Sequence, residues 1–137
     1  MKKIILAIIL MSNISLFAFE YNSGFVSLDE FEDLAIKHNG VKINNFTLSE
    51  KESWSTKSLV NLGISFSAKN KNTNPRHFSA MLVGLDKNNG VIWALSAEPM
   101  MATISGNKTE SISSDVFVAP GTLRNTAKVL IKISGDF

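Results

Sequence analysis

The hydrophobic rhythm of the chain changes three times along its length. Ile4 to Met11 is an unbroken apolar run behind Lys2 and Lys3, and a softer segment from Ser12 to Phe17 leads to Ala18. A short positive start, an apolar stretch too short to span a bilayer and a small residue behind it are the parts of a secretory signal peptide. The layout predicts a signal peptide over residues 1–18, with cleavage after Ala18. A retained N-terminal anchor is the alternative, opposed by the polar Ser12, Asn13 and Ser15. No cysteine follows the run, which excludes a lipid-anchored lipoprotein.

Between residues 27 and 40 the spacing turns helical. Ser27 and Glu30 form a capping box, and Leu28, Phe31, Leu34 and Ala35 recur on one face. Asp29, Glu30, Glu32 and Asp33 suit a helix start, Lys37 and His38 a last turn, and Asn39-Gly40 a left-handed stop. The pattern predicts about three helical turns with an acidic, solvated outer face. Residues 19–40 read as an N-terminal extension whose helix lies against an edge or end of the main domain.

From Val41 onward the period is two. Val41 and Ile43, then Phe46 and Leu48 out of phase after a bulge, predict a first strand. Leu62, Ile64, Phe66 and Ala68 alternate with Gly63, Ser65 and Ser67 as a half-buried strand. Residues 78–85 are apolar on both faces and predict a central strand. Asp86 to Gly90 reads as a turn, Val91 to Ala97 as a strand ended by Pro99, Ser105-Gly106-Asn107 as another turn, Thr109 to Val118 as a strand, Pro120-Gly121 as a turn and Lys128 to Ser134 as the last strand. Six or seven short strands at this spacing predict an all-β, antiparallel, immunoglobulin-like sandwich over residues 41–137. Leu62, Ile64, Phe66, Phe78, Leu82, Trp93, Val129 and Ile131 are its expected core.

Composition narrows the chemistry. The 137 residues allow one domain. The absence of cysteine removes disulfides, zinc–thiolate sites and thiol nucleophiles. The chain carries 14 basic and 12 acidic residues; without Lys2 and Lys3 the charges balance, so nothing in the bulk charge favours a nucleic-acid partner. No segment after the first is long and apolar enough to cross a membrane as a helix.

The "AKN" strand end at Asn70, a strand finishing "GLD", the turn "KNNG", then "VIW" and the later "VAPGT" resemble small immunoglobulin-like domains of exported bacterial proteins, of the FxLYD and telokin-like kind. The resemblance covers about residues 41–137. It implies the sandwich fold and an extracytoplasmic setting, and it carries over no active site. The aromatic-X-Leu-Tyr-Asp signature is replaced here by Val-Gly-Leu-Asp at 83–86, and Tyr21 is the one tyrosine.

Candidate chemistry is sparse. His38 and His77 are far apart in sequence with no carboxylate at ligand spacing, so no metal site is expected. There is no Gly-X-Ser-X-Gly elbow and no phosphate loop around Gly106-Asn107-Lys108-Thr109; Glu98, the isolated carboxylate among apolar neighbours, reads as structural or solvated. No catalytic residue and no cofactor are expected. Two binding features stand out instead. Lys69, Lys71 and Arg76, with His77, form a local basic loop suited to an anionic glycan or head group. Trp54 sits in a polar stretch with no burial pattern, and Met100-Met101 follow Pro99 as two flexible apolar side chains. Trp54 with Met100 and Met101 is the first choice of contact surface, the basic loop the second; cover of the Met pair by the N-terminal helix is the competing expectation. Together these features predict a non-catalytic, periplasmic or secreted binding domain acting on another cell-envelope or secreted protein. An inhibitor or immunity protein against a lytic enzyme, using the 105–108 or 69–77 loop, is the second class, and an envelope enzyme the third.

Overall fold

Residues 19–137 are described by a computed structural model, and the expected signal segment lies outside the described residues. The chain runs β1 (Phe19–Asn22), α1 (Leu28–Glu32), β2 (Ala35–His38), β3 (Val41–Glu52), β4 (Val60–Asn70), β5 (Arg76–Leu85) and β6 (Val91–Ala97). A single 3-10 turn at Met100–Ala102 leads to β7 (Thr103–Ile104), β8 (Thr109–Val118), α2 (Thr122–Asn125) and β9 (Lys128–Gly135). Every strand pairing is antiparallel. One sheet has the order β1-β9-β5-β6, with β7 also on β5; the other has the order β2-β3-β4-β8. The protein is therefore an all-β, two-sheet sandwich, and β5 is an interior strand as its two-faced apolar pattern requires.

Strand register follows the alternation in sequence. Leu62, Ile64, Phe66 and Ala68 on β4 point inward, as do Phe78, Ala80 and Leu82 on β5 and Val129, Ile131 and Ile133 on β9. All eight expected core residues are buried. The expected bulge in β3 is present: pairing with β4 shifts between Asn44 and Thr47, and Asn45 takes a positive φ of 60°. That extra residue puts Phe46 on the same inner face as Ile43. Rings at Phe31, Phe46, Phe66, Phe78 and Phe137 then stand 5.2–6.3 Å apart in sequence of contact, linking α1, both sheets and the C-terminal residue through one core.

Trp93 is a core tryptophan. Its Nε1–H donates to Thr126 Oγ1 at 2.9 Å, and its indole lies flat where a side chain at Gly84 would stand: a Cβ there would come within 2.1 Å of the ring. Glycine at this position is what lets the indole cover the strand.

The N-terminal region departs from expectation. The capping box forms, with Glu30 N–H donating to Ser27 Oγ and Ser27 N–H to Glu30 Oε2, but the helix ends at Glu32. Residues 35–38 are an edge strand paired with β3. The reason is the turn: Asn39 (φ 42°) and Gly40 (φ 80°) both lie in the left-handed region, the geometry of a two-residue hairpin. The hairpin buries Ile36 and leaves Ala35 exposed, the reverse of the helical spacing. Residues 19–40 are likewise integral to the fold rather than an extension, because they supply a strand to each sheet. Helix α1 bridges those strands on one side of the sandwich, where Phe31 packs on Phe46 and Phe19 stacks on His38 at 4.5 Å. Asn39-Gly40 therefore marks a hairpin, and α2, β1 and β7 are additional to the expected elements.

Candidate functional site

The residues singled out from sequence fall into three places. Trp54 is in the connection between β3 and β4, is 97% exposed and touches no part of the core. Its neighbours Ser53 and Ser55 bond to each other, hydroxyl to hydroxyl at 3.0 Å, and Ser55 N–H donates to Ser53 Oγ. The indole is thus carried on a locally bonded turn at the end of two strands of 12 and 11 residues. Trp54 therefore does not cover the end of the sandwich.

Met100 and Met101 lie in the excursion between β6 and β7, 85% and 89% exposed. The chain leaves β6 where Ala97 faces Ala80, loops outward and returns to β5 where Thr103 faces His77. Met101 and Ala102 both hold φ near 55°, and Ala102 N–H donates to Pro99 O. Helix α1 does not cover the pair; it packs on Phe46 instead. Nor does the Met pair meet Trp54. Trp54 lies beyond the Glu52–Val60 end of the β3–β4 pair, whereas the Met excursion joins β5 near Arg76, at the end where β4 finishes. The 11 residues of β4 separate those ends by roughly 35 Å. The single surface joining Trp54 to Met100-Met101 does not form.

The basic loop is also divided. Lys69 is on β4 and Lys71 just beyond it, both exposed, whereas Arg76 begins β5 and its Nη1 donates to the main-chain oxygen of Asp136 at 3.4 Å. Between them the loop is tied down by a buried asparagine that no functional argument had marked. Asn70 Nδ2 donates to the carbonyls of Asn74 (2.9 Å) and Ile104 (3.2 Å), while its Oδ1 accepts from the N–H and Nδ2 of Asn72. His77, expected to lack an acidic neighbour, stands with Nδ1 at 2.9 Å from Asp136 Oδ2; 59 residues of sequence separate the two. Burial pushes the Asp136 carboxyl up, but the His77 N–H and ring and the Arg76 charge outweigh it and hold it below its ordinary value. Glu98 is exposed. No group of three or more His, Asp or Glu side chains among the described residues is placed to hold a metal ion.

Glu50 is a structural carboxylate that sequence reading passed over as part of a polar stretch. Its two oxygens accept from Gly121 N–H (2.7 Å) and Leu123 N–H (2.9 Å), closing the start of α2 from β3, two strands away from β8 in the same sheet. The Gly121 bond, then the Leu123 bond, holds its carboxyl below the ordinary value of 4.5, with Arg124 helping and burial opposing. A depressed carboxyl contributes stability that is present above its unfolded value and lost as pH falls through the folded one. Denaturant unfolding from pH 7 to pH 3 should therefore show stability declining below about pH 4.5. Glu50→Gln should lower stability at pH 7 by about 0.5–1 kcal/mol, as for loss of an exposed cap, and should flatten that acid decline. An unchanged acid limb in the variant would show that the carboxylate does not hold α2.

No family model matches the sequence, and no curated protein is significantly similar to it. Among solved structures, the chain is similar to the enzymatically active domain of tailspike protein 4 of bacteriophage CBA120, at 11% identity and a TM-score of 0.27. That alignment covers 87% of this chain and 17% of the phage chain. A likeness at this level defines neither a family nor an activity. The class established by the structure is that of an all-β antiparallel sandwich.

Proposed function

We propose that this protein is an exported, non-catalytic binding module that contacts another cell-envelope or secreted protein through Trp54. One observation carries the reading: a tryptophan, the side chain with most to gain from burial, is held 97% exposed on the turn joining the two longest strands. Folding gives it nothing to pack against, and the paired ends of β3 and β4 set where the connection that carries it stands. The apolar run behind Lys2 and Lys3 supports export to the periplasm or beyond.

The strand order supports a finer, immunoglobulin-like reading of the sandwich. β3, β4 and β8 lie side by side, as strands A, B and E do, and β6, β5 and β9 lie as C′, C and F. The place beside F, normally filled by the last strand, is taken here by β1. In such folds loops and strand ends carry recognition, and the Trp54 turn is one of them.

Trp54→Ala tests the proposal. The unfolding midpoint should stay within about half a kcal/mol of the parent, because the side chain buries nothing. Capture of the partner should fall by about 2 kcal/mol or more, roughly thirtyfold, as for loss of an aromatic anchor. Capture unchanged by this substitution would reject Trp54 as the contact.

A further inference from the structure

The hairpin turn at Asn39-Gly40 has a consequence for charge. It sets Lys37 on β2 directly opposite Lys42 on β3, and Lys42 stands directly opposite Lys69 on β4. All three occupy outward positions, since Ile36, Val41, Ile43, Ala68 and Asn70 on either side of them are buried. Three ammonium groups are thus held in one row across adjacent strands, about 4.8 Å apart at the backbone. Lys71 joins Lys37 and Lys42 in lining a shallow cleft of about 440 Å³ at the end of the row. Among the described residues none of these four lysines is paired with a carboxylate. Like charges facing each other across a sheet oppose folding, so stability alone gives no reason for the row.

Next to the row, the middle of this outer face is hydroxyls and amides, while Lys51 and the exposed Phe117 stand at its far end, on either side of Asn61. Asn44 faces Ser67, Thr47 faces Ser65, and Ser65 and Ser67 in turn face Ser113 and Ser111 on β8. Among the described residues of this face, Asp115, opposite Gly63, is the one carboxylate at an outward strand position, roughly 20 Å along β4 from Lys69. Short side chains leave the face flat and its hydroxyls within reach of a ligand laid along it.

We propose that this face binds a linear acidic polysaccharide. The lysine row takes the acidic groups by charge-assisted hydrogen bonds, and Ser65, Ser67 and Ser111 meet the sugar hydroxyls beside them. Charge complementarity selects the anion, and the hydroxyl surface selects a glycan over other polyanions. The apolar side chain beside the lysines is the small Ala35, too short to enter a lipid interface, and the exposed aromatic of the face, Phe117, lies at its far end rather than among the lysines to stack a base. The site shares no residue with the Trp54 turn.

Affinity electrophoresis of the protein, with the N-terminus it carries when isolated, tests this with dextran sulfate as probe and neutral dextran as control. Dextran sulfate should retard the protein, neutral dextran should not, and Trp54→Ala should leave the retardation unchanged. Lys42→Gln with Lys69→Gln should weaken binding about tenfold or more and lower the salt dependence by about two charges. The same pair should unfold at equal or higher denaturant, because it relieves a like-charge contact. Ser67→Ala with Ser111→Ala should weaken binding severalfold with the salt dependence intact. Neutralising Lys51, at the far end of the face, and Lys57, in the β3–β4 connection, should have no effect. The proposal is overturned by equal retardation in the Lys42/Lys69 variant, by equal loss in the Lys51/Lys57 variant, or by polyglutamate or phosphatidylglycerol vesicles binding as tightly as dextran sulfate.

Discussion

Phe66→Ala is expected to cost about 3–5 kcal/mol, a large part of the 5–15 kcal/mol by which a domain of this kind is stable. Phe66 is 2% exposed on β4 and stands between Phe46 at 5.2 Å, on the adjacent strand of its own sheet, and Phe78 at 6.3 Å, on the facing sheet. Its removal deletes transfer energy and leaves a void between two sheets whose register is fixed by hydrogen bonds along the whole of β4. Such sheets cannot close up around one missing ring. Ser65, the adjacent residue, faces outward opposite Thr47, where the two hydroxyl oxygens lie 2.6 Å apart in exposed surroundings. Ser65→Ala should change stability by no more than about half a kcal/mol. Equilibrium denaturation of the two variants decides it. The opposite ranking would mean that β4 is paired one residue out of register.

Asn70→Ala is the second large effect, at about 3 kcal/mol, and its cause is polar. Asn70 is fully buried, and its amide serves the carbonyls of Asn74 and Ile104 while its oxygen serves Asn72. Its own N–H donates to Lys108 O, so one residue ties the β4–β5 loop to the turn before β8. Alanine would leave the buried Ile104 bond and the part-buried Asn74 and Asn72 bonds unmade, at about 1–3 kcal/mol for a group that water cannot reach and less for the others. Asn70→Asp should not rescue the loss, because a carboxylate would face the Ile104 and Asn74 carbonyls with no donor to offer. Amide exchange should quicken at Asn72 and Asn107, whose N–H groups Asn70 Oδ1 and Asn72 O hold. An alanine variant within half a kcal/mol of the parent would show that water takes over these bonds.

What could be read from sequence depended on the range of the interaction. Alternation along β4, β5 and β9 is a local signal, and it gave the inner faces correctly. The bulge in β3 was legible for the same reason, since the apolar phase slips at Asn45. Residues 33–40 failed because two local rules conflicted. A capping box and Leu34-Ala35 suggested a longer helix, while Asn39-Gly40 serves equally as helix stop and hairpin turn; the demand to bury Ile36 against the sheet decided in favour of the hairpin. The alternation Phe19-Glu20-Tyr21-Asn22 was a readable strand signal, hidden only by the assumption that it belonged to an extension.

Site residues were legible singly but not as groups. The lack of any burial pattern around Trp54 did identify an exposed indole. Its separation from Met100-Met101 follows from which end of β4 each segment reaches, a fact of topology. Lys37, Lys42 and Lys69 form a row only once both strand registers are known, and the His77–Asp136 pair joins residues 59 apart. Glu50 belongs with them: its partners at 121 and 123 become neighbours only when β8 has brought the chain back beside β4.

That the β3–β4 turn is the face this protein turns toward a partner is tested by placing a photo-crosslinking amino acid at position 54. Irradiation of cells making this variant should give one discrete protein adduct in the envelope or secreted fraction. The same amino acid at Asn88, in the turn at the end of β5, should give none. Equal adducts from both positions, or none from position 54, would contradict the claim.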